Sequence, residues 1–383
     1  MQNGQFIWKH QKQLRTGYTT GSCAAGAAKA AAYMLLGDER IEQIELKTPK
    51  GITLYLDIHD IMRQNGRVSC AVKKDAGDDP DITDGIFVYA CVEKTSGTEV
   101  AVRGGTGVGT VTRKGLEQEV GQPAINRVPH MMIREAVEAV RDRFGCKEGL
   151  TVTISIPEGV RIAEKTFNPR LGITGGISVL GTTGIVEPMS EKALIDTIGI
   201  EMKVMKESGH DFCYVVPGNY GADFLTQHLG YEDVLAVKCS NFIGETLDIA
   251  VRLEMKGLLL IGHAGKLIKL AAGIMNTHSR QADGRMEILA AHAAMAGAGP
   301  ETVAAVMGCI TTEEAFELLA AAAYLKPVMA TVMKKAEMHL RHRSGNALQV
   351  EAVIFTQAQG IVGTTSGAGY LLEKINSEKG TQK

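Results

Sequence analysis

At 383 residues the chain is too long for one ordinary hydrophobic core, and 45% hydrophobic with 22% charged residues is the balance of a water-soluble globular protein. A net charge of −2 gives no overall pull on nucleic acid, and no apolar run approaches the ~20 residues that a membrane helix needs. Seven scattered cysteines without a C-x-x-C pair, and a start without the apolar stretch of a signal peptide, predict reduced thiols, a cytoplasmic location and no protein-held metal. In chain order, the first predicted element is an Ala-rich helix over 23–36, which Thr20 or Ser22 can cap and Gly37 can end. Strands follow at 52–58, 67–72, 85–93 and 99–104. An amphipathic helix comes next, with Pro129 in its first turn, and then a strand at 150–157. Several strands with few helices predict an α+β first domain over 1–200.

From 191 onwards strand and helix alternate. Helix 191–208 leads to strand 212–218, strand 234–240, helix 242–256, strand 257–262 and helix 266–275. A largely helical stretch then runs to Arg343, a strand occupies 350–355, and the tail after Glu373 is expected to fray. That alternation, with short Gly-bearing turns, predicts an α/β second domain over 201–383 with a mostly parallel, Rossmann-like sheet.

Residues 1–37 carry Lys9, Lys12, Arg15 and Lys29 but no acidic residue, which suits a negatively charged ligand. TGYTTGSCAAG joins a Gly-punctuated loop to the first helix. A helix N-terminus offers free N–H groups and partial positive charge. Thr16, Thr19, Thr20 and Ser22 add hydroxyls, and Arg15 can fork onto a carboxylate. The same residues would equally serve a capped, close-packed helix, and local physics does not choose. In KKDAGDDPDITDG the acidic spacing is not that of a calcium loop. Asp78 and Asp79 are candidate proton acceptors, or else simply turn formers. GGTGVGTVTRKG fails G-x-G-x-x-G at Thr110, so it is no dinucleotide fingerprint.

The run LRTGYTTGSCAAGAAKAAA (14–32) closely resembles the opening motif of the cobalt-precorrin-5B C1-methyltransferase family, the CbiD family. Stretches 73–85, 105–133, 167–190, 216–221, 240–245 and 262–279 are similar to it in consistent order. The resemblance implies transfer of a methyl group from S-adenosylmethionine to C1 of a cobalt-containing corrin precursor, in the anaerobic route to cobalamin. Cobalt is then part of the substrate. Such a ring carries acetate and propionate arms, so Arg15, Thr16, Thr19, Thr20 and Ser22 become candidate substrate contacts, with His278 and Arg280 as further ones.

For the methyl donor, the second domain offers the turns after its parallel strands, where α/β sheets bind ligands. Gly218, Asn219 and Gly221 lie in the first turn, Ser240 and Asn241 in the second, and Gly262 in the third. His263 follows as a candidate acid or base, although a lone turn histidine is as often a plain hydrogen-bonding residue. GHAGK is not a P-loop, because Leu260 and Leu267 stand where Gly and Ser/Thr are needed. Two other functions stay beside methyl transfer: an NAD(P)-dependent oxidoreductase and a non-catalytic tetrapyrrole carrier. The oligomeric state is not legible.

Overall fold

Alternating inward and outward residues build the first sheet. In a computed structural model that describes residues 5–9, 11–218, 221, 224–226 and 236–380, contacts separate two compact units, Met1–Glu191 and Lys192–Lys383. The first begins with a hairpin, β1 (Phe6–Lys9) and β2 (Lys12–Arg15), followed by β3 (Gly17–Tyr18) and helix α1 (Thr20–Gly37). Then come β4 (Gln43–Lys47), β5 (Thr53–Gln64), β6 (Arg67–Lys73), β7 (Phe87–Thr95), β8 (Val100–Gly104), β9 (Gly107–Val108) and β10 (Thr110–Val111). Helix α2 (Arg127–Arg143), β11 (Gly149–Ser155), α3 (Gly159–Ala163), β12 (Ile173–Thr174), β13 (Gly176–Ile177) and β14 (Ile185–Val186) complete it.

The main sheet runs β4-β5-β6-β7-β11-β8, antiparallel except for the parallel β11–β8 pair. Leu54, Leu56 and Ile58 of β5 face the core while Thr53, Tyr55 and Asp57 face outward, the alternation of a sheet covered on one side. Helix α1 lies on the covered face. It is apolar nearly all round and buried from Thr20 to Ala28, as an interior helix should be. Its small residues let the backbone come close: a Cβ at Gly26 would sit 2.4 Å from Leu56 Cδ1. Helix α2 packs beside α1 through Met132, Ile133, Val137 and Val140. The strand QIELK of β4, unexpected from the sequence, pairs with β5 in the same alternating pattern.

The second unit comprises α4 (Glu191–Glu207), β15 (Phe212–Val216), β16 (Ala236–Lys238), α5 (Ile243–Arg252), β17 (Gly257–His263), the short α6 (Ala264–Leu267) with a 3₁₀ turn (Ile268–Ala272), and four helices α7 (Arg285–Met295), α8 (Pro300–Met307), α9 (Thr312–Ala321) and α10 (Leu325–Arg343). Strands β18 (Gln349–Thr356) and β19 (Gly360–Thr364) and helix α11 (Ala368–Gly380) close it. Its sheet order is β16-β15-β17-β18-β19, parallel except for β19. Both faces are covered. Cys213, Val215, Leu258, Leu260, Val350 and Ala352 pack with α5 and α10, while Tyr214, Val216, Leu259, Ile261 and Phe355 pack with Phe224, Leu225 and α11.

The mostly parallel sheet matches expectation, but the dinucleotide-type order does not. In that order the first strand is central, whereas β15 lies second from the edge. The tail after Glu373 is also not frayed through residue 380. Leu371 and Ile375 are fully buried, and the Glu378 carboxylate accepts the backbone N–H groups of Asp211 and Phe212, each at 3.3 Å.

Candidate functional site

At the α1 junction the side-chain hydroxyls and most N–H groups of the first turn are already used. Thr19 caps the helix by accepting the Ser22 N–H at 3.2 Å. Ser22 Oγ donates to the Gly184 carbonyl at 2.7 Å, Thr19 N–H donates to the same carbonyl, and Gly21 N–H donates to Leu180. Thr20 Oγ donates to the Leu180 carbonyl and accepts the Leu180 N–H, and Thr16 Oγ donates to the Gln5 carbonyl at 2.9 Å. Thr16, Thr19, Thr20 and Ser22 are at most 5% exposed. The expected anion site therefore needs correction. The hydroxyls and the N–H groups of Thr19, Gly21 and Ser22 are spent on acceptors of their own unit, which fold over the helix end.

Arg15 is likewise committed. Its guanidinium forks onto Asp75 at 2.5 and 2.7 Å, and its backbone N–H meets Asp78 Oδ2 at 2.6 Å. The Arg15 bond holds the Asp75 carboxyl below the usual carboxylate range. Asp78 and Asp79 serve as backbone acceptors, the second taking the Met189 N–H at 2.8 Å. Asp81 pairs with Lys74, whose side chain is only 2% exposed; burial pushes the Asp81 carboxyl up, yet Lys74 outweighs it and the net shift is downward. The acidic segment is a clasp that fastens β2, β3 and the chain near Met189, and neither Asp78 nor Asp79 is placed as a free base.

The carboxyl edge of the second sheet is built differently. Three turns meet there because β15, β16 and β17 are parallel neighbours. The connection after β15 packs on one face of the sheet and those after β16 and β17 on the other, so the strand order switches direction between β15 and β17. Lys266 spans that switch. Its Nζ donates to the Pro217 carbonyl at 2.7 Å and to the Ser240 carbonyl at 3.4 Å. Burial lowers the Lys266 pKa, and Lys269 nearby adds to the effect. Lys269, 2% exposed, donates to the Thr277 and Ala282 carbonyls at 3.2 and 2.8 Å and so fixes the loop that carries His278 and Arg280. Asn241 ties the second turn to the same loop, its carbonyl accepting the Thr277 N–H at 3.0 Å.

Of the expected cofactor residues, Gly218, Ser240 and Asn241 stand at this edge, and Asn219 lies outside the described residues. Gly218 has φ +131°, a conformation that favours glycine, and of the described residues a Cβ there would meet only Lys266 Nζ, at 3.7 Å. Gly221 and Gly262 require correction, because their missing Cβ serves packing: it would lie 2.7 Å from the Ile261 carbonyl and 2.8 Å from Pro217 Cγ, respectively.

His263 begins the third turn. Its Nδ1 accepts the Gly265 N–H at 3.2 Å, and its Nε2 meets Glu313 at 3.0 Å. Both nitrogens are engaged within the unit, and His263 holds the turn as a hydrogen-bonding residue. His278 Nδ1 accepts the Arg280 N–H at 3.1 Å, and both residues are exposed on the loop that Lys269 anchors.

Lys266 and Lys269 were missed by sequence reasoning. The signal was present in GKLIKLAAG, where two lysines three residues apart interrupt an otherwise apolar segment. Elsewhere, burial pushes the Cys23, Cys70 and Cys239 thiols up to about 12, so none of the three is a thiolate nucleophile at neutral pH. Among the described residues no group of three or more His, Cys, Asp or Glu is arranged to hold a metal ion, and no helix is long and apolar enough to cross a membrane.

Comparison with known proteins agrees along the whole chain. Residues 7–188 match the CbiD family and residues 276–366 match its C-terminal domain. A protein of Ruminiclostridium cellulolyticum named cobalt-precorrin-5B C(1)-methyltransferase is 50% identical, with 98% of this chain and 100% of that protein covered. One of the same name from Alkaliphilus metalliredigens is 45% identical, with 98% of each covered. A solved structure of a cobalamin biosynthesis protein (cbiD) from Archaeoglobus fulgidus is 27% identical over 72% of this chain and 86% of that one; its TM-score of 0.39 is too low to bear on the fold. By these matches the chain belongs to the CbiD family.

Proposed function

We propose that the protein transfers a methyl group from S-adenosylmethionine to C1 of cobalt-precorrin-5B, a corrinoid intermediate on the anaerobic route to cobalamin. The supporting observation is end-to-end likeness: relatives bearing that activity in their names are 45–50% identical over 98% of this chain. The methyl donor binds at the carboxyl edge of the second unit's sheet. Support for this placement is the switch between β15 and β17, because doubly wound sheets take ligands in such a crevice. The glycine backbone at Gly218, with only Lys266 Nζ of the described residues near its Cβ position, fits the approach of a cofactor there.

When bound, S-adenosylmethionine supplies a methyl group already activated on sulfonium sulfur. The chain's own residues therefore have no bond to activate; their task is alignment and exclusion of water. Lys266 fixes the Pro217 and Ser240 turns against each other, and Asn241 with Lys269 fixes the loop of His278 and Arg280. A site made of turns stapled by lysines keeps its geometry before ligand arrives, which lowers the ordering cost of binding. Corrin carboxylates find a cation in the exposed Arg280, not in Arg15, whose fork is taken.

Incubation with methyl-labelled S-adenosylmethionine and cobalt-precorrin-5B tests the proposal. Labelled corrinoid with release of S-adenosylhomocysteine is the expected result. Ring binding without label would establish a carrier instead, and nicotinamide-dependent turnover an oxidoreductase.

A further inference from the structure

Lys266 is a cation at the carboxyl edge of the second sheet. It is half-buried, and both of its partners, the Pro217 and Ser240 carbonyls, are neutral. Among the described residues no carboxylate pairs with it, and the nearest like charge, Lys269, repels it. Lys269 is the instructive contrast. It sits one turn further on, has Asp283 at 3.9 Å besides two carbonyls, and its role is complete within the fold. A half-buried ammonium without a counter-charge is unfavourable unless an anion arrives to meet it. An ammonium also has three N–H donors, and the two carbonyls take two. In front of Nζ stands Gly218, in a backbone conformation that side-chain-bearing residues rarely adopt, with no other heavy atom of the described residues within 4 Å of where its Cβ would be. The position lies at the strand-order switch where such sheets take ligands.

We infer that Lys266 is a carboxylate receptor: the Pro217 and Ser240 carbonyls aim its ammonium, and its remaining N–H donates to a carboxylate of a bound ligand. The inference rests on the methyl-transfer reading for its choice of ligands. Two sources supply that chemistry, the amino-acid end of the methyl donor and an acetate or propionate arm of the ring.

Titration calorimetry on the full chain separates them. The probes are S-adenosylhomocysteine against 5′-methylthioadenosine, which lacks the amino-acid end, and cobyrinic acid against its amidated counterpart cobinamide. Lys266→Met should weaken binding of S-adenosylhomocysteine or of cobyrinic acid by roughly tenfold to a hundredfold, the loss expected of a charge-assisted hydrogen bond. The carboxylate-free member of the affected pair should change by less than about threefold. Equal losses for both members of a pair would reduce Lys266 to a staple between turns and overturn the inference, as would no loss in either pair. Should Lys266→Met fail to fold, Lys266→Gln keeps amide donors for the carbonyls and removes the charge, and the same carboxylate-specific loss is expected. Wild-type protein that binds neither nucleoside would sink the cofactor placement itself; the cobyrinic acid pair would then decide for or against Lys266 alone.

Discussion

The junction at Thr16–Ser22 and the edge formed by Pro217, Ser240 and Lys266 are both polar, Gly-punctuated turns leading into a helix. At the first, helix-end donors meet carbonyls from Leu180 and Gly184, and the hydroxyls are buried. At the second, backbone carbonyls meet a lysine that has no carboxylate partner among the described residues. A polar cluster that balances itself is a structural joint. One that leaves a lysine with neutral partners, among the described residues, keeps capacity for an anion. Residue types alone do not separate these two outcomes, because the partners of the first junction lie some 160 residues away along the chain.

The sharpest way to break the comparison is to add one methyl group on each side. A Cβ at Gly17 would lie 2.3 Å from the Asp75 carbonyl oxygen and the Ala76 carbonyl carbon, backbone that has nowhere to go. Gly17→Ala should cost about 4 kcal/mol or more, read as loss of soluble protein or a collapse of the urea midpoint. Among the described residues Gly218→Ala meets only the tip of Lys266, so its expected cost is that of the strained backbone, about 1–3 kcal/mol. Comparable losses from both would mean that the second edge is as closed as the first. Thr19→Ala comes next. It removes a helix cap worth ~1 kcal/mol and should leave the affinity for S-adenosylhomocysteine unchanged. A large drop in that affinity would move the methyl donor from the second sheet to α1.

The smallest effect concerns acid. The Asp75 carboxyl is held below its unfolded value, principally by its bond to Arg15, so the stability it contributes is present above about pH 4 and is lost as pH falls through the lowered value. Both side chains are about a third exposed, and solvent screening limits the effect to at most ~1 kcal/mol. Unfolding midpoints of wild type and Arg15→Gln should therefore stay apart above about pH 4 and converge as pH falls below it. Parallel curves over that range would show that the pair is not worth a measurable amount.

Much of the architecture was legible because periodicity reports burial directly. Helix α1, the alternating strands β5, β6 and β7 and the parallel strands β15 and β17 follow from patterns within single segments. The tail helix α11 was not legible, since its reason to form is remote: Leu371 and Ile375 pack on the far strands and Glu378 caps Asp211 and Phe212. The site was legible in part for the same reason. Gly218, Ser240 and Asn241 follow from strand ends, but Lys266 acquires its meaning only when the Pro217 and Ser240 carbonyls arrive from two other strands. Arg15 misled in the opposite sense, because its partner Asp75 comes from a segment 60 residues on.

Amide hydrogen exchange with and without S-adenosylhomocysteine tests most directly where the methyl donor sits. Slowed exchange at Gly218 and within 240–241 and 262–266, with no change at 16–23, is the predicted result, since the Thr16, Tyr18, Thr19, Gly21, Ser22 and Cys23 amides are already bonded. Protection appearing at 16–23 and absent from the sheet edge would contradict the account.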